Sequence, residues 1–376
     1  MIALPTIQNA GDVHGKRVLL RLDLNLPILE GRVSDTYRLD RVSKTLEFLK
    51  VNGARTLIVG HIESKETNSL RLVGEVLSKR FKTEFAMTLE EARIKLEEAQ
   101  DGSFVLLENL RGWEGEKKNS SEFAQSLVSL ADLYVNDAFS VSHREHASIV
   151  GVPTLLPSYV GFLFEEEVKN LSLAFSPARP ALLILGGAKF ETKIPLIEKF
   201  LPLLNDVYLC GALANDVYKA RGYETGISLV SKMVPNRELL ENPKLHTPSD
   251  VIARTDSGSG EKGSDSVRKD EKIVDAGSDA ISDILALIEK ARFILWNGPL
   301  GEYESGFDAG TIAVAEAIAE SDAQSIIGGG DSLAVVSKLG LLPRFSFVST
   351  GGGAMLDFLA NETLPGIVAL EKSVEV

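Results

Sequence analysis

Cysteine is almost absent from this chain: Cys210 is the single one in 376 residues. No intrachain disulfide is possible. Cys210 closes the apolar run VYLC and reads as a small buried residue. Histidine is scarce as well, at five residues. His143 and His146 have the spacing of a metal half-site, but no further histidine or thiolate cluster accompanies them, which argues against a transition-metal centre. No stretch reaches 18 apolar residues, and no basic segment followed by an apolar one opens the chain, so neither a membrane span nor a secretory leader is expected. Without a leader, the glycosylation-type triplets at Asn119 and Asn361 are chance matches. Positive charge is in the minority. Forty Lys and Arg stand against 53 Asp and Glu, a formal net charge of −13. A broad nucleic-acid-binding surface is thereby excluded, because affinity for a polyanion needs clustered basic residues. An anionic small molecule has to be held by a local basic group against an unfavourable overall field.

Two nucleotide-binding signatures are also missing. There is no G-x-x-x-x-G-K-[ST] loop. Gly258–Gly263 matches G-x-G-x-x-G, but no strand pattern runs into it and no apolar helix follows, so it is not a dinucleotide fingerprint. The surrounding segment 255–272, polar and without aromatics, is expected to be a mobile loop or long turn.

What is present is alternation. The apolar runs RVLLRLDL (17–24), ARTLIVG (54–60), SFVLLEN (103–109) and DLYVND (132–137) read as buried strands. The stretches between them carry apolar residues at helical spacing. This predicts a parallel sheet with helices on both faces. The pattern pauses over 151–180, where GVPTLLPSYVGF precedes a helical stretch, and restarts at ALLILGG (181–187). At this length two domains are expected. The reading is therefore an α/β protein of two doubly wound parallel-sheet, Rossmann-like domains: 1–160, a connecting helix 161–176, and 177–360.

The second half repeats one junction: a strand, then glycines, then a helix. It occurs in GGAKFETK (186–193), CGALAN (210–215), WNGPLG (296–301), IGGGDS (327–332) and SFVSTGGGA, which begins at Ser346. Any one of these is also an ordinary helix cap or tight turn. Five together favour a polyphosphate site, with bare backbone N–H groups at helix N-termini. At Gly351, Gly352 and Gly353 the missing side chains let an anion approach the main chain. In the first half, polar residues cluster at strand ends, where open α/β sheets bind ligands. Asp23, Asn25, Arg38, His61, Arg111 and Arg144 converge on one rim if the strands are parallel. Three arginines around a cleft suit a phosphorylated carboxylate, although each alone also reads as a surface ion pair.

In this order the segments RLDLNLP, Arg38, GH (60–61), LLENLR, YVNDAFSVSHREHAS, LGGAKFETK, LWNGPLGEYE, IGGGDS, VSTGGGA and LPGIVAL resemble the phosphoglycerate kinase family over nearly the whole chain. The resemblance implies two hinged domains, with 361–376 returning to the first, and reversible phosphoryl transfer between 1,3-bisphosphoglycerate and ADP. It implies that Asp23, Leu24, Asn25, Arg38, His61, Ser64, Arg111 and Arg144 surround 3-phosphoglycerate. Lys189, Lys193, Gly211, Asn297, Glu304, Gly329, Gly330, Asp331 and Ser332 would surround ATP or ADP. Mg²⁺ would sit on Asp331, and Arg38, Lys193 and Gly351–Gly353 would serve the moving phosphoryl group. A cytosolic monomer is expected. One segment departs from the family pattern: the usual L-G-R-P after the histidine is Ile62-Glu63-Ser64-Lys65, so a substrate-holding arginine is replaced by Ser64 and an acid stands beside it. Losing one charge-assisted contact costs about 1.5–3 kcal/mol of affinity. A weakly catalytic nucleotide-binding relative, or a kinase for another small carboxylate, stays open on that ground.

Overall fold

The computed structural model describes residues 4–188 and 190–373. The chain divides into two compact units. One runs through Lys169 and takes the chain back from Asn361; the other comprises Asn170–Ala360.

In the first unit, β1 (Arg17–Leu22) is followed by a small hairpin, β2 (Ile28–Leu29) and β3 (Arg32–Val33). Then come β4 (Arg55–Val59), β5 (Thr83–Ala86), β6 (Phe104–Leu107), β7 (Leu133–Asp137) and β8 (Ser158–Val160). Six of these form one parallel sheet in the order β5-β6-β4-β1-β7-β8. The central strands are buried on both faces, which is why they read as continuous apolar runs. Chain order runs outward from β1 to β4 on one side and from β7 to β8 on the other. The switch point therefore lies between β1 and β7, and the crevice beyond the strand ends opens there. The helical stretch after β1 divides into Tyr37–Arg41 and Ser43–Val51. The C-terminal helix Pro365–Glu371 lies on the turn Ala147–Gly151, and Gly366 N donates to Ser142 O at 2.9 Å. A Cβ at Gly366 would stand 2.9 Å from that of Ser142, so this close approach needs glycine.

In the second unit, β9 (Ala181–Leu185), β10 (Asp206–Leu209), β11 (Leu245–His246), β15 (Phe293–Asn297), β16 (Gln324–Gly328) and β17 (Phe347–Val348) form a parallel sheet, ordered β11-β10-β9-β15-β16-β17. Its switch point is between β9 and β15. Between β11 and β15 the chain builds a separate antiparallel sheet from β12 (Asp250–Thr255), β13 (Gly258–Gly263) and β14 (Lys272–Ala276).

That sheet corrects the expectation of a loop over 255–272. The strand GSGEKG is an exposed edge strand paired only to β12. With no apolar face to bury, it carries no apolar alternation in its sequence. The segment beyond it is held by Glu271, whose carboxylate accepts from Lys262 Nζ at 2.6 and 2.9 Å and from the Arg268 backbone N–H at 2.7 Å.

Candidate active site

The C-terminal ends of β6, β4, β1 and β7 are neighbours, and they carry the polar residues singled out above. Asp23, just past β1, is 6% exposed. It accepts from Arg38 Nη1 at 2.8 Å and from Ser140 Oγ at 2.6 Å. Arg38 also reaches Asn25 O at 3.4 Å. Asn25 Oδ1 accepts from Glu63 N at 2.8 Å, so this side chain ties the β1 and β4 end loops together. Asn109, after β6, bonds Ile62 O and Asn68 O through Nδ2, at 2.9 and 2.8 Å.

The charge at this rim is deeper than the sequence suggests. Arg21, in the middle of an apolar run and not singled out above, is fully buried inside β1. Its Nε donates to Ser148 Oγ at 3.0 Å, and its Nη2 lies 3.3 Å from His61 Nδ1. Guanidinium can only donate, so His61 Nδ1 accepts and the ring is the neutral Nε2–H tautomer. Burial, then the charge of Arg21, Arg111 and Arg144, push the His61 pKa down to about 2. His146 is lowered to about 4 by burial and the same arginines. Buried Glu116 offsets part of this charge, accepting from Ser148 N at 2.9 Å and Ser148 Oγ at 2.6 Å.

Arg111 is the most exposed to consequence. Its side chain is 6% accessible. Burial, followed by repulsion from Arg144 and Arg21, lowers its pKa to about 10. Its Nε and Nη2 make no hydrogen bond. The Glu63 carboxylate lies against Nη1 as an ion pair. Arg144 is half-buried in the loop after β7. This arrangement gathers positive charge at the rim and leaves Arg111 Nε and Nη2 without acceptors.

Two of the expected residues have local structural roles. The Leu24 side chain is fully buried in the core of the unit, leaving only its main chain at the rim. Ser64 Oγ accepts from Glu66 N at 3.1 Å, a local turn that the residue type favours.

In the second unit a cleft of about 240 Å³ lies over the switch point, lined among others by Gly187, Gly211, Asn215, Pro299 and Asp331. Asn215 is buried there, and its Oδ1 has no partner. Gly211 (φ 57°) and Gly329 (φ 95°) precede the helices Ala212–Ala220 and Gly330–Lys338 in conformations that favour glycine. At Gly186 a Cβ would fall 2.1 Å from Pro299 O. Backbone cannot retreat as a flexible side chain does. Gly186→Ala is therefore expected to destabilise this unit by about 3 kcal/mol, the upper range for overpacking. A urea midpoint equal to that of the parent chain would contradict the close packing.

Lys193 is buried on the helix Phe190–Phe200, its Nζ bonded to Gly186 O. Burial lowers its pKa to about 8, opposed by Cys210 and Asp331. Asp331 is exposed in the first turn of its helix, 3.4 Å from the Tyr303 hydroxyl. Asn297, at the end of β15, is buried beside Gly329, with Nδ2 3.8 Å from Met355 Sδ. Ser332 Oγ accepts from Gly298 N at 2.9 Å, which makes it a link between two loops. Glu304 is exposed on the 3₁₀ turn Tyr303–Ser305.

At the last glycine junction, β17 leads to the helix Gly353–Asn361. Gly351 N already donates to Ser349 Oγ at 3.1 Å, so the expected three bare N–H groups reduce to Gly352 and Gly353. Gly352 has φ 55°, and the space beside both glycines is open. Lys189 lies outside the described residues.

A sequence model of the family described as phosphoglycerate kinase matches residues 7–362. The chain belongs to the phosphoglycerate kinase family. Relatives named phosphoglycerate kinase include one from Wolbachia sp. subsp. Drosophila simulans, 38% identical over 397 residues, which covers 99% of this chain and all of the relative. Another, from Methylorubrum populi, is 38% identical over 97% of this chain and 98% of its own. Among solved structures, the phosphoglycerate kinase from Coxiella burnetii superposes with a TM-score of 0.83 at 34% identity, covering 98% of each chain. That from Pyrococcus horikoshii gives 0.84 at 30% identity, over 98% of this chain and 99% of the other. Membership makes the chain a phosphotransferase, and the two parallel sheets of six strands are those of a two-domain, Rossmann-like α/β enzyme. Among the described residues, no helix is long and apolar enough to cross a membrane.

Proposed function

We propose that the chain transfers a phosphoryl group reversibly between 1,3-bisphosphoglycerate and ADP, giving 3-phosphoglycerate and ATP. The observation that carries the acceptor half is the buried Arg111 guanidinium, whose Nε and Nη2 have no hydrogen-bond acceptor, at the rim where Arg21, Arg144 and neutral His61 also meet. A phosphorylated carboxylate supplies the acceptors this rim lacks. Asp23, Asn25, Arg38, His61, Arg111 and Arg144 would hold it, with His61 donating from Nε2. In this reading 1–160 and 361–376 form the acceptor domain, 161–176 the hinge, and 177–360 the nucleotide domain.

ADP or ATP would occupy the cleft lined by Gly211, Asn215 and Asp331, with Asn297 and Ser332 shaping the phosphate loop, Gly329 and Gly330 supplying it, and Glu304 toward the ribose. Mg²⁺ fits here as a nucleotide companion. No group of three His, Cys, Asp or Glu could hold it alone among the described residues, whereas one exposed carboxylate plus phosphate oxygens is the usual set for this ion. Asp331 would hold it, and when bound it neutralises phosphate charge.

In the synthesis of the acyl phosphate, a carboxylate oxygen of 3-phosphoglycerate attacks the γ-phosphorus. The bond to the β,γ-bridging oxygen breaks, and ADP leaves with the electron pair. The acceptor is already ionised at neutral pH, so no general base is needed. Catalysis is positioning and charge neutralisation, supplied by Arg38, Lys193 and the Gly352 and Gly353 N–H groups. Turnover would require closure of the two domains around both substrates, which also keeps water from the acyl phosphate. A cytosolic monomer completes the reading; the free, buried thiol of Cys210 fits a reducing compartment and does not bear on the oligomeric state.

Two measurements follow. With MgATP, phosphorylation of a panel of small carboxylates, followed by ³¹P NMR, is expected to show the acyl phosphate of 3-phosphoglycerate as the preferred product. Preference for another acceptor would overturn the assignment. For Lys193, the charged form dominates below about pH 8. The value of kcat/KM for MgADP, which reports the free enzyme, is expected to fall above that pH. The kcat limb should move to higher pH, because bound phosphate favours the ammonium. A flat kcat/KM profile to pH 9.5 would remove Lys193 from the phosphate contacts.

A further inference from the structure

We propose that the Glu63 carboxylate is a built-in competitor for the anionic group of the acceptor at Arg111. The inference rests on the phosphotransfer reading above and assigns a specificity-setting role to a residue outside the site residues named there. Glu63 stands in the Ile62–Lys65 segment, and its side chain is 56% exposed while that of its partner Arg111 is 6% exposed. The loop carrying it is fixed at several points. Glu63 N donates to Asn25 Oδ1 at 2.8 Å, and Glu66 N to Ser64 Oγ at 3.1 Å. The Glu66 carboxylate accepts from Glu30 N and Gly31 N at 3.1 and 2.9 Å. The backbone is thus held, and the half-exposed side chain is the part with room to turn away.

Arg111 needs a counter-ion. It is buried beside Arg21 and Arg144, whose charges oppose its own, while Glu116 and Asp23 offset them only in part. Glu63 meets this need at Nη1 in the free protein, but Nε and Nη2 have no acceptor at all. An incoming phosphate offers more charge and three acceptor oxygens. It can satisfy the fork that the carboxylate leaves open. The exchange therefore favours a phosphate-bearing acceptor, while a simple monocarboxylate would only replace one carboxylate by another against a partner tethered at high effective concentration. Glu63 makes the site weaker for every anion and most selective for the most highly charged one.

The test is Glu63→Gln, which keeps the shape and removes the charge, with Glu63→Ala as a second variant. The KM for 3-phosphoglycerate is expected to fall about tenfold, the scale of one charge-assisted contact, with a smaller change in kcat. Calorimetry with inorganic phosphate should show tighter binding by a similar factor. The free variant should melt lower than the parent chain, because Arg111 loses its counter-ion, and the gap should close in saturating 3-phosphoglycerate. An unchanged or raised KM together with unchanged phosphate affinity would overturn the proposal, since Glu63 would then merely orient Arg111. If the parent chain fails to turn over 3-phosphoglycerate, the phosphotransfer reading falls. The phosphate titration still decides the role of Glu63 in that case: tightening supports it and no change refutes it.

Discussion

Arg38→Ala is expected to lower kcat by about a thousandfold or more, with nucleotide affinity unchanged. Arg38 pairs with Asp23 at 2.8 Å, yet its side chain remains 39% exposed. Asp23 is buried but the Arg38 end of the pair is open to solvent, which screens it and limits its contribution to stability. Asp23 would keep its bonds from Ser140 Oγ and Asn25 N in the variant, so the fold should survive with its melting temperature near that of the parent chain. The loss would then fall on the transition state, where charge on the transferring phosphoryl group needs a cation that the ground state does not. An arginine in this role is worth about 10³–10⁵ in rate. Arg38→Lys keeps the charge but not the planar fork and should fall between. Steady-state kinetics with each substrate varied in turn would check this. A drop in kcat below tenfold, or an effect confined to the KM for nucleotide, would remove Arg38 from the reaction.

The second large effect concerns Asp331. Asp331→Ala is expected to weaken MgADP binding on the order of 30- to 100-fold, as when one partner of a charge contact is removed. Metal-free ADP should bind as well or better, because the carboxylate repels bare phosphates. Asp331 is exposed in the first turn of its helix, and losing its interaction with the helix dipole costs only about 0.3–1 kcal/mol. The folded state is therefore preserved, and calorimetric titrations with and without Mg²⁺ can be compared directly. Equal weakening of both forms would argue against a metal ligand.

The parts of the fold that were legible in the sequence share one physical cause. β1, β4, β6, β7, β9 and β15 are buried on both faces, and their apolar runs say so. The strands that escaped notice are edge strands. Thr83–Ala86 and Ser158–Val160 border the first sheet, and Gly258–Gly263 borders the small antiparallel one. An edge strand is held through backbone bonds on one side, and its composition need not announce burial. At the site, Asp23, Asn25, His61 and Arg111 were legible because parallel strands bring their C-terminal ends together. Arg21 was not, because a charged residue inside an apolar run looks like an interruption. Its partners His61 and Ser148 lie 40 and 127 residues away. Nor could sequence alone show that Gly351 N is already occupied by Ser349, or that Glu63 reaches Arg111. Both depend on side-chain direction rather than spacing. The replacement of an arginine by Ser64 was visible as a deficit of charge. Its companion Glu63 turns that deficit into competition for the arginine that remains.

The measurement that bears most directly on the whole reading is a coupled steady-state assay with MgATP, titrating 3-phosphoglycerate to high concentration. Saturable turnover is expected, at a substrate concentration raised by the Ile62–Lys65 segment. Protein that binds MgADP but shows no turnover at any concentration of 3-phosphoglycerate would contradict it.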